Sequence, residues 1–192
     1  MMRIITGTAR GVKLRTLEGD DTRPTAERTK EAVFSMIQFD LVGRRVLDAF
    51  AGSGQMGLEA LSRGASKALL IDKNKAACDI IKKNVELTRM SDKAETVCGD
   101  IADVLKRKVG REVYDIVFLD PPYRSELIER ALTCLTEYKL LSENAKVICE
   151  SGEPIEKLVK NELLEKFTVV KAVRYGIAHI TVMKLSDEEE KQ

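Results

Sequence analysis

Asp120-Pro121-Pro122-Tyr123 combines residue types that together suit one task, the holding of an aromatic amine. Two consecutive prolines fix φ and remove two N–H donors, so the segment is stiff and its carbonyls are free to accept. Asp120 adds a side-chain acceptor, and Tyr123 adds a π face. The exocyclic amine of a nucleobase is a poor nucleophile, because its lone pair is delocalised into the ring. Hydrogen bonds from its N–H groups to Asp120 and to the Pro121 carbonyl favour a pyramidal nitrogen with the lone pair directed outward. Positioning and electrostatics carry a reaction of that kind, without a metal or a covalent nucleophile. A base inside a helix cannot reach such a pocket, so it must be unpaired or flipped out and stacked on Tyr123. A rigid turn without chemistry is the plain alternative.

The electrophile is read from an upstream loop, Asp48-Ala49-Phe50-Ala51-Gly52-Ser53-Gly54-Gln55-Met56-Gly57. It follows a strand pattern and opens a helix pattern. Gly52, Gly54 and Gly57 match G-x-G-x-x-G, which alone also describes dinucleotide enzymes. Asp48 shifts the balance. A carboxylate at that strand end would repel a pyrophosphate and would suit S-adenosylmethionine, which carries an ammonium and a sulfonium. Asp72, twenty residues after Gly52, can accept both hydroxyls of a ribose. Asp100 can accept from an adenine amino group, with Ile101 against the ring. Helix capping is the competing role for Asp48, Asp72 and Asp100.

These residues must be brought together by strands and helices. Strands are expected at 45–49, 68–72, 95–97, 115–119, 146–150, 168–175 and 177–185, and helices at 56–63, 75–88, 101–108, 126–137 and 155–162. Runs such as Ile116–Leu119 are apolar on both faces, as a sheet covered by helices on both sides requires. The alternation predicts a doubly wound α/β fold, with a seven-stranded, mostly parallel sheet. Only Tyr175-Gly176 separates the last two strands, so they close as an antiparallel hairpin. Upstream, residues 2–6 and 12–17 read as a basic β-hairpin, and Thr25 opens a helix with Ala32, Val33, Met36 and Ile37 on one face. The organisation expected is an extension with a basic hairpin and a helix at 1–43, a catalytic domain at 44–186 and an acidic tail at 187–192.

The bulk properties agree with that organisation. The chain has 192 residues, 44% apolar and 33% charged, which suits one globular domain. No apolar run approaches the ~18 residues of a membrane span, and the N-terminus shows no signal core. The formal charge of +1 hides an asymmetry: Arg3, Arg10, Lys13 and Arg15 near the start, acids at the end. A basic face suits a polyanion. Cys78, Cys98, Cys134 and Cys149 form no Cys-x-x-Cys, and His179 is the single histidine. A protein-built metal site is therefore not expected. The cysteines read as buried small hydrophobes in a reducing cytoplasm, and His179 as a packing or surface residue.

Taken together, Arg3-Ile4-Ile5-Thr6-Gly7, Arg10-Gly11-x-Lys13-Leu14, Arg23-Pro24-Thr25, Glu31-Ala32-Val33-Phe34, the glycine loop, Phe118-Leu119-Asp120-Pro121-Pro122-Tyr123 and Tyr175-Gly176 resemble the RsmD family over nearly the whole chain. The resemblance implies a Rossmann-like class I methyltransferase that uses S-adenosylmethionine to methylate N2 of one guanine in 16S ribosomal RNA. By it, Asp48, Phe50, Gly52, Ser53, Gly54 and Gly57 would form the methionine-side pocket. Asp72 would hold the ribose, and Asp100 and Ile101 would frame the adenine. Asp120, Pro121, Pro122 and Tyr123 would hold the guanine. Arg3, Arg10, Lys13, Arg15, Arg23, Pro24 and Thr25 would meet the RNA or lie near the pocket. The chain departs from the family pattern at Ala9 and Val12, where an aromatic and an arginine are common. The expected enzyme is a cytoplasmic monomer whose partner is ribosomal RNA or the small ribosomal subunit. The rival readings are an adenine-N6 methyltransferase of DNA or RNA and a nucleotide-binding scaffold without catalysis. A dinucleotide oxidoreductase is a third.

Overall fold

Alternating apolar residues along the mid-chain strands place two separate cores on the two faces of one sheet, and that division organises the molecule. The computed structural model describes residues 2–17, 24–122 and 126–186, with only the backbone for 24–27. The expected sites Arg23 and Tyr123, the side chains of Pro24 and Thr25, and the acidic tail lie outside this description.

The elements in order are α1 (Pro24–Met36), β1 (Arg45–Asp48), α2 (Gln55–Ser62), β2 (Lys67–Asp72), α3 (Lys75–Leu87), β3 (Ala94–Cys98), α4 (Ile101–Lys106), β4 (Tyr114–Leu119), α5 (Glu126–Glu137), β5 (Leu141–Ser151), α6 (Asn161–Leu164), β6 (Phe167–Tyr175) and β7 (Ala178–Leu185). The seven-stranded sheet has the order β3-β2-β1-β4-β5-β7-β6. The neighbours among β1–β5 pair in parallel, and β7 is antiparallel to both β5 and β6. The mostly parallel sheet and the terminal hairpin match the sequence expectation. The insertion of the last strand between β5 and β6 was not readable, because it depends on which edge the hairpin docks against. Strand order reverses between β1 and β4, which is where doubly wound folds bind ligands.

On one face Leu47, Leu69, Ile71, Val117, Leu119, Val147 and Cys149 pack against Val104 and Leu105 of α4 and against Ile128, Leu132 and Leu135 of α5. On the other, Val46, Leu70, Ile116, Phe118 and Ile148 pack against Phe34 of α1, Ile37 just beyond it, Leu58 of α2 and Ile81 of α3. The Phe34 and Phe118 rings lie 5.7 Å apart in a tilted pair, and the Arg63 guanidinium sits 4.6 Å over Phe34.

Three expectations are corrected. The N-terminal hairpin is present but shorter than expected: Arg3 bridges Lys13, Leu14 N donates to Met2 O, Ile4 N to Val12 O and Gly11 N to Ile4 O, and the pairing goes no further because Ile5 and Thr6 donate to Glu59 of α2. The helix expected over 155–162 splits into a 3₁₀ turn (Ile155–Lys157) and α6. Lys160 breaks it by adopting an extended backbone and donating its N–H to Glu129 of α5. Cys98 is exposed rather than buried, because β3 is an edge strand of the sheet. No helix among the described residues is long and apolar enough to cross a membrane.

The third glycine of the loop is explained by packing. A Cβ on Gly57 would stand 2.1 Å from Leu70 Cδ2, so α2 lies on β2 at a distance that only glycine permits. Gly57→Ala should force the helix off the sheet, lower stability by about 1–3 kcal/mol and weaken cofactor binding. Thermal melts and calorimetry with S-adenosylhomocysteine measure both, and an unchanged melting temperature would contradict this account.

Candidate active site

The two-residue period of the strands puts four acids in one row. Val46, Leu70, Phe118 and Ile148 face the same core, and Asp48, Asp72, Asp120 and Glu150 continue that alternation by two residues at the carboxyl ends of β1, β2, β4 and β5. Register sets their levels: Asp48 pairs with Leu70 and Phe118, so Asp72 and Asp120 stand two residues beyond it, and Leu119 pairs with Cys149, which sets Asp120 and Glu150 side by side.

Asp48 is buried at 3% exposure, and its Oδ2 accepts from the Gly57 N–H at 3.0 Å. Burial pushes its carboxyl up to about 7; the Gly57 bond opposes this, and the nearby charge of Asp72 adds to it. Asp72 is half-buried and accepts from Gly52 N (2.8 Å) and Asn74 N (2.8 Å). Each carboxylate oxygen keeps a further lone pair for a ligand. Asn74, not Asp72, caps α3. Asp120 is accessible at the mouth of the row, yet its carboxyl is surrounded closely enough that desolvation raises it, with the charges of Glu150 and Asp48 adding to the effect. Pro121 is buried behind it and Pro122 is exposed. Burial likewise raises Glu150.

The glycine loop is built by backbone bonds. Ala51 N donates to Ile71 O (2.8 Å) and Gly54 N to Ala51 O (2.6 Å), with Gly52 and Gly54 at φ +54° and +79°. Phe50 packs partly against the α4–α5 core. The Ser53 hydroxyl turns toward Met2 Sδ (2.9 Å), so its side chain serves the N-terminal segment. Asp100 caps α4 through Ala102 N (3.0 Å) and forms a bidentate pair with Arg130 (2.8 and 2.9 Å). Ile101 is buried at 4% exposure within the core. Asp100 thus serves the fold as a helix cap and Ile101 as a core residue.

Sequence reasoning missed four residues. Glu150 lacked a motif, and only sheet register reveals it. Arg130 lies on a helix face with no signal. Asn84 is fully buried in α3 and holds Arg15 N (2.8 Å), Arg15 O (2.9 Å) and Ser53 O (2.8 Å), so one amide ties the N-terminal segment to the glycine loop. Glu59 is fully buried in α2 and anchors residues 5 and 6. A polar residue amid helix-forming neighbours was the only hint for Asn84 and Glu59, and it does not reveal the partners.

Arg3, Arg10, Lys13 and Arg15 are all exposed on that anchored segment, while Ile4, Ala9 and Leu14 beneath them are buried. Ala9, where the chain departs from the family pattern, is buried, and its N–H donates to Ser62 Oγ (3.0 Å). His179 is half-buried on β7, opposite Ser151. Among the described residues, no group of three or more His, Cys, Asp or Glu is arranged to hold a metal. A recess of about 240 Å³, lined by residues including Arg45, Lys67 and Tyr114, lies at the opposite, amino-terminal ends of the strands, away from the row of acids.

The arrangement can do specific chemistry. Four carboxylates around a glycine loop oppose a polyphosphate and suit a cationic ligand, and Asp120 presents an acceptor at its edge.

Comparison with known proteins gives the same direction. The family model described as conserved hypothetical protein 95 matches residues 2–184. Ribosomal RNA small subunit methyltransferase D of Haemophilus influenzae is 36% identical over 177 residues, covering 92% of this chain and 90% of that protein. The protein of the same name from Escherichia coli K12 is 37% identical over 150 residues, covering 78% of this chain and 74% of its own. The solved structure of Escherichia coli yhhF superposes with a TM-score of 0.83 at 31% identity, covering 97% of this chain and 99% of that one.

Proposed function

This chain belongs to the family described as conserved hypothetical protein 95, the RsmD family that its motifs resemble, and from that membership we propose that it transfers a methyl group from S-adenosylmethionine to the exocyclic N2 of a guanine in small-subunit (16S) ribosomal RNA. The observation that carries the proposal is the row of strand-end acids beside the proline-locked turn, at the point where strand order reverses. The relatives named above as ribosomal RNA small subunit methyltransferases support the substrate class.

When bound, the cofactor supplies an electrophilic methyl on a sulfonium. Asp48, Phe50 and the backbone of Gly52, Ser53, Gly54 and Gly57 hold its methionine side. Asp72 holds the ribose, and Asp100 and Ile101 border the adenine. Asp120 and the Pro121 carbonyl accept the N–H groups of the target amine and aim its lone pair, with Pro122 stiffening the turn and Tyr123 stacking on the base. Arg3, Arg10, Lys13 and Arg15 meet phosphates from the anchored segment, and Arg23, Pro24 and Thr25 complete the RNA-binding set. The enzyme acts as a cytoplasmic monomer without a metal, its extension at 1–43 facing the RNA and its catalytic domain spanning 44–186.

The test offers labelled S-adenosylmethionine with three acceptors: small subunits from a strain lacking the gene, naked 16S ribosomal RNA and duplex DNA. Label is expected in N2-methylguanosine of small-subunit RNA. Label only in adenine of the DNA would refute the proposal.

A further inference from the structure

Guanine is the one standard base whose Watson–Crick edge presents two adjacent donors, N1–H beside the N2 amine. Adenine and cytosine each place their amine beside a bare ring nitrogen. A pocket that selects guanine by hydrogen bonding therefore needs a second acceptor next to the one that holds the amine.

The fold supplies that second acceptor. Cys149 of β5 pairs with Leu119 of β4 in parallel register, so the next residues, Glu150 and Asp120, emerge level with each other at adjacent strand ends. Both continue the face on which Phe118 and Ile148 are buried. Glu150 is half-buried. Neither carboxylate has a hydrogen-bond or ion-pair partner among the described residues. Two partnerless acids side by side, each raised by desolvation, are costly to ionise. A ligand that brings two parallel N–H donors relieves that cost.

We propose that Glu150 is a specificity-determining residue of this site. Its carboxylate receives the N1–H of the guanine whose N2 amine rests on Asp120, and so selects guanine over adenine. The inference rests on the methyltransferase reading above and adds to it a residue that no motif contains. A base with a bare ring nitrogen there meets an acceptor facing an acceptor. Sites built to hydrogen-bond a substrate group reject analogues lacking it, because buried polar atoms are left unpaired.

The test uses small subunits reconstituted with either guanosine or 2-aminopurine riboside at the mapped target position. 2-Aminopurine keeps the 2-amine but has a bare N1. Wild-type enzyme is expected to methylate the 2-aminopurine substrate at least about tenfold more slowly. Glu150→Gln places an amide that can donate to the bare N1, so the ratio should narrow to within roughly threefold. Glu150→Ala should lose activity on guanosine without gaining any on 2-aminopurine. Calorimetry with S-adenosylhomocysteine checks that both variants keep the cofactor site. Equal discrimination by wild type and Glu150→Gln would overturn the role of Glu150 and leave the methyltransferase reading standing. Failure of the wild type to methylate the guanosine substrate would overturn both.

Discussion

Asp120→Ala lowers turnover on small-subunit RNA by roughly 10²–10⁴-fold while S-adenosylhomocysteine binds as tightly as to the wild type. Two features of the site lead to this expectation. In the proposed mechanism Asp120 is the side-chain acceptor of the stiff turn, so its loss would leave only the Pro121 carbonyl to orient the amine. It also stands exposed between Asp48 and Glu150 in the acidic row and takes no part in the bond between Asp48 and Gly57 that shapes the glycine loop. The stability consequence has the opposite sign to the usual one. The folded state raises the carboxyl through desolvation and through the charges of Glu150 and Asp48. For an acid this means that the ionised form is disfavoured by folding, a cost fully present above the raised value and relieved as pH falls. Removing the group at neutral pH therefore leaves the melting temperature unchanged or raises it, as at many catalytic positions. Asp120→Asn keeps one acceptor oxygen and should retain an intermediate rate. Single-turnover rates and calorimetry on the three proteins are the measurement. Wild-type turnover in Asp120→Ala would remove this residue from the mechanism.

Glu59→Ala destabilises the protein by about 3–5 kcal/mol, the range for removing one partner of a buried ion pair, and lowers the melting temperature by on the order of 10 °C. Glu59 has no exposed surface and accepts from Ile5 N (2.7 Å), Thr6 N (3.0 Å) and Arg63 Nε (2.8 Å). It also faces Lys30 Nζ at 3.8 Å, itself only 3% exposed. Its removal deprives two backbone amides of an acceptor and leaves the buried ammonium short of charge. Lys30 is placed to feel this loss, since its ammonium also holds Arg3 O (2.7 Å). The N-terminal segment should then loosen, and the exposed Arg3, Arg10, Lys13 and Arg15 with it. RNA affinity should fall more than S-adenosylhomocysteine affinity. Denaturant melts and filter binding at fixed salt test both parts. A variant that melts with the wild type would show that Glu59 is not the anchor.

Much of the catalytic half was legible in the chain itself, because its signals are local. Ile116–Leu119 followed by Asp-Pro-Pro reads as a buried strand running into a stiff turn whatever surrounds it. The glycine spacing after Val46–Asp48 reads as a strand-to-helix turn for the same reason. Gly57 was recognisable as a motif member, though its clash with Leu70 depends on a helix-to-sheet distance. Asp100 shows the limit of such reading, since one residue type serves both a cap and a ligand acceptor. The cap and the Arg130 pair are what the fold displays.

By itself, then, the amino-acid order determined the alternation of strands and helices, the strand-end positions of Asp48, Asp72 and Asp120, and the rigid acceptor turn. Each follows from side-chain periodicity and backbone constraints acting within a few residues. Only the tertiary structure decided that Glu150 stands beside Asp120, that Asn84 and Glu59 bind the basic N-terminal segment to the glycine loop and α2, and that the last strand inserts beside β5. Those relations join positions from about thirty to seventy residues apart. They arise from sheet register and from the need of buried polar groups for partners, which no local pattern encodes.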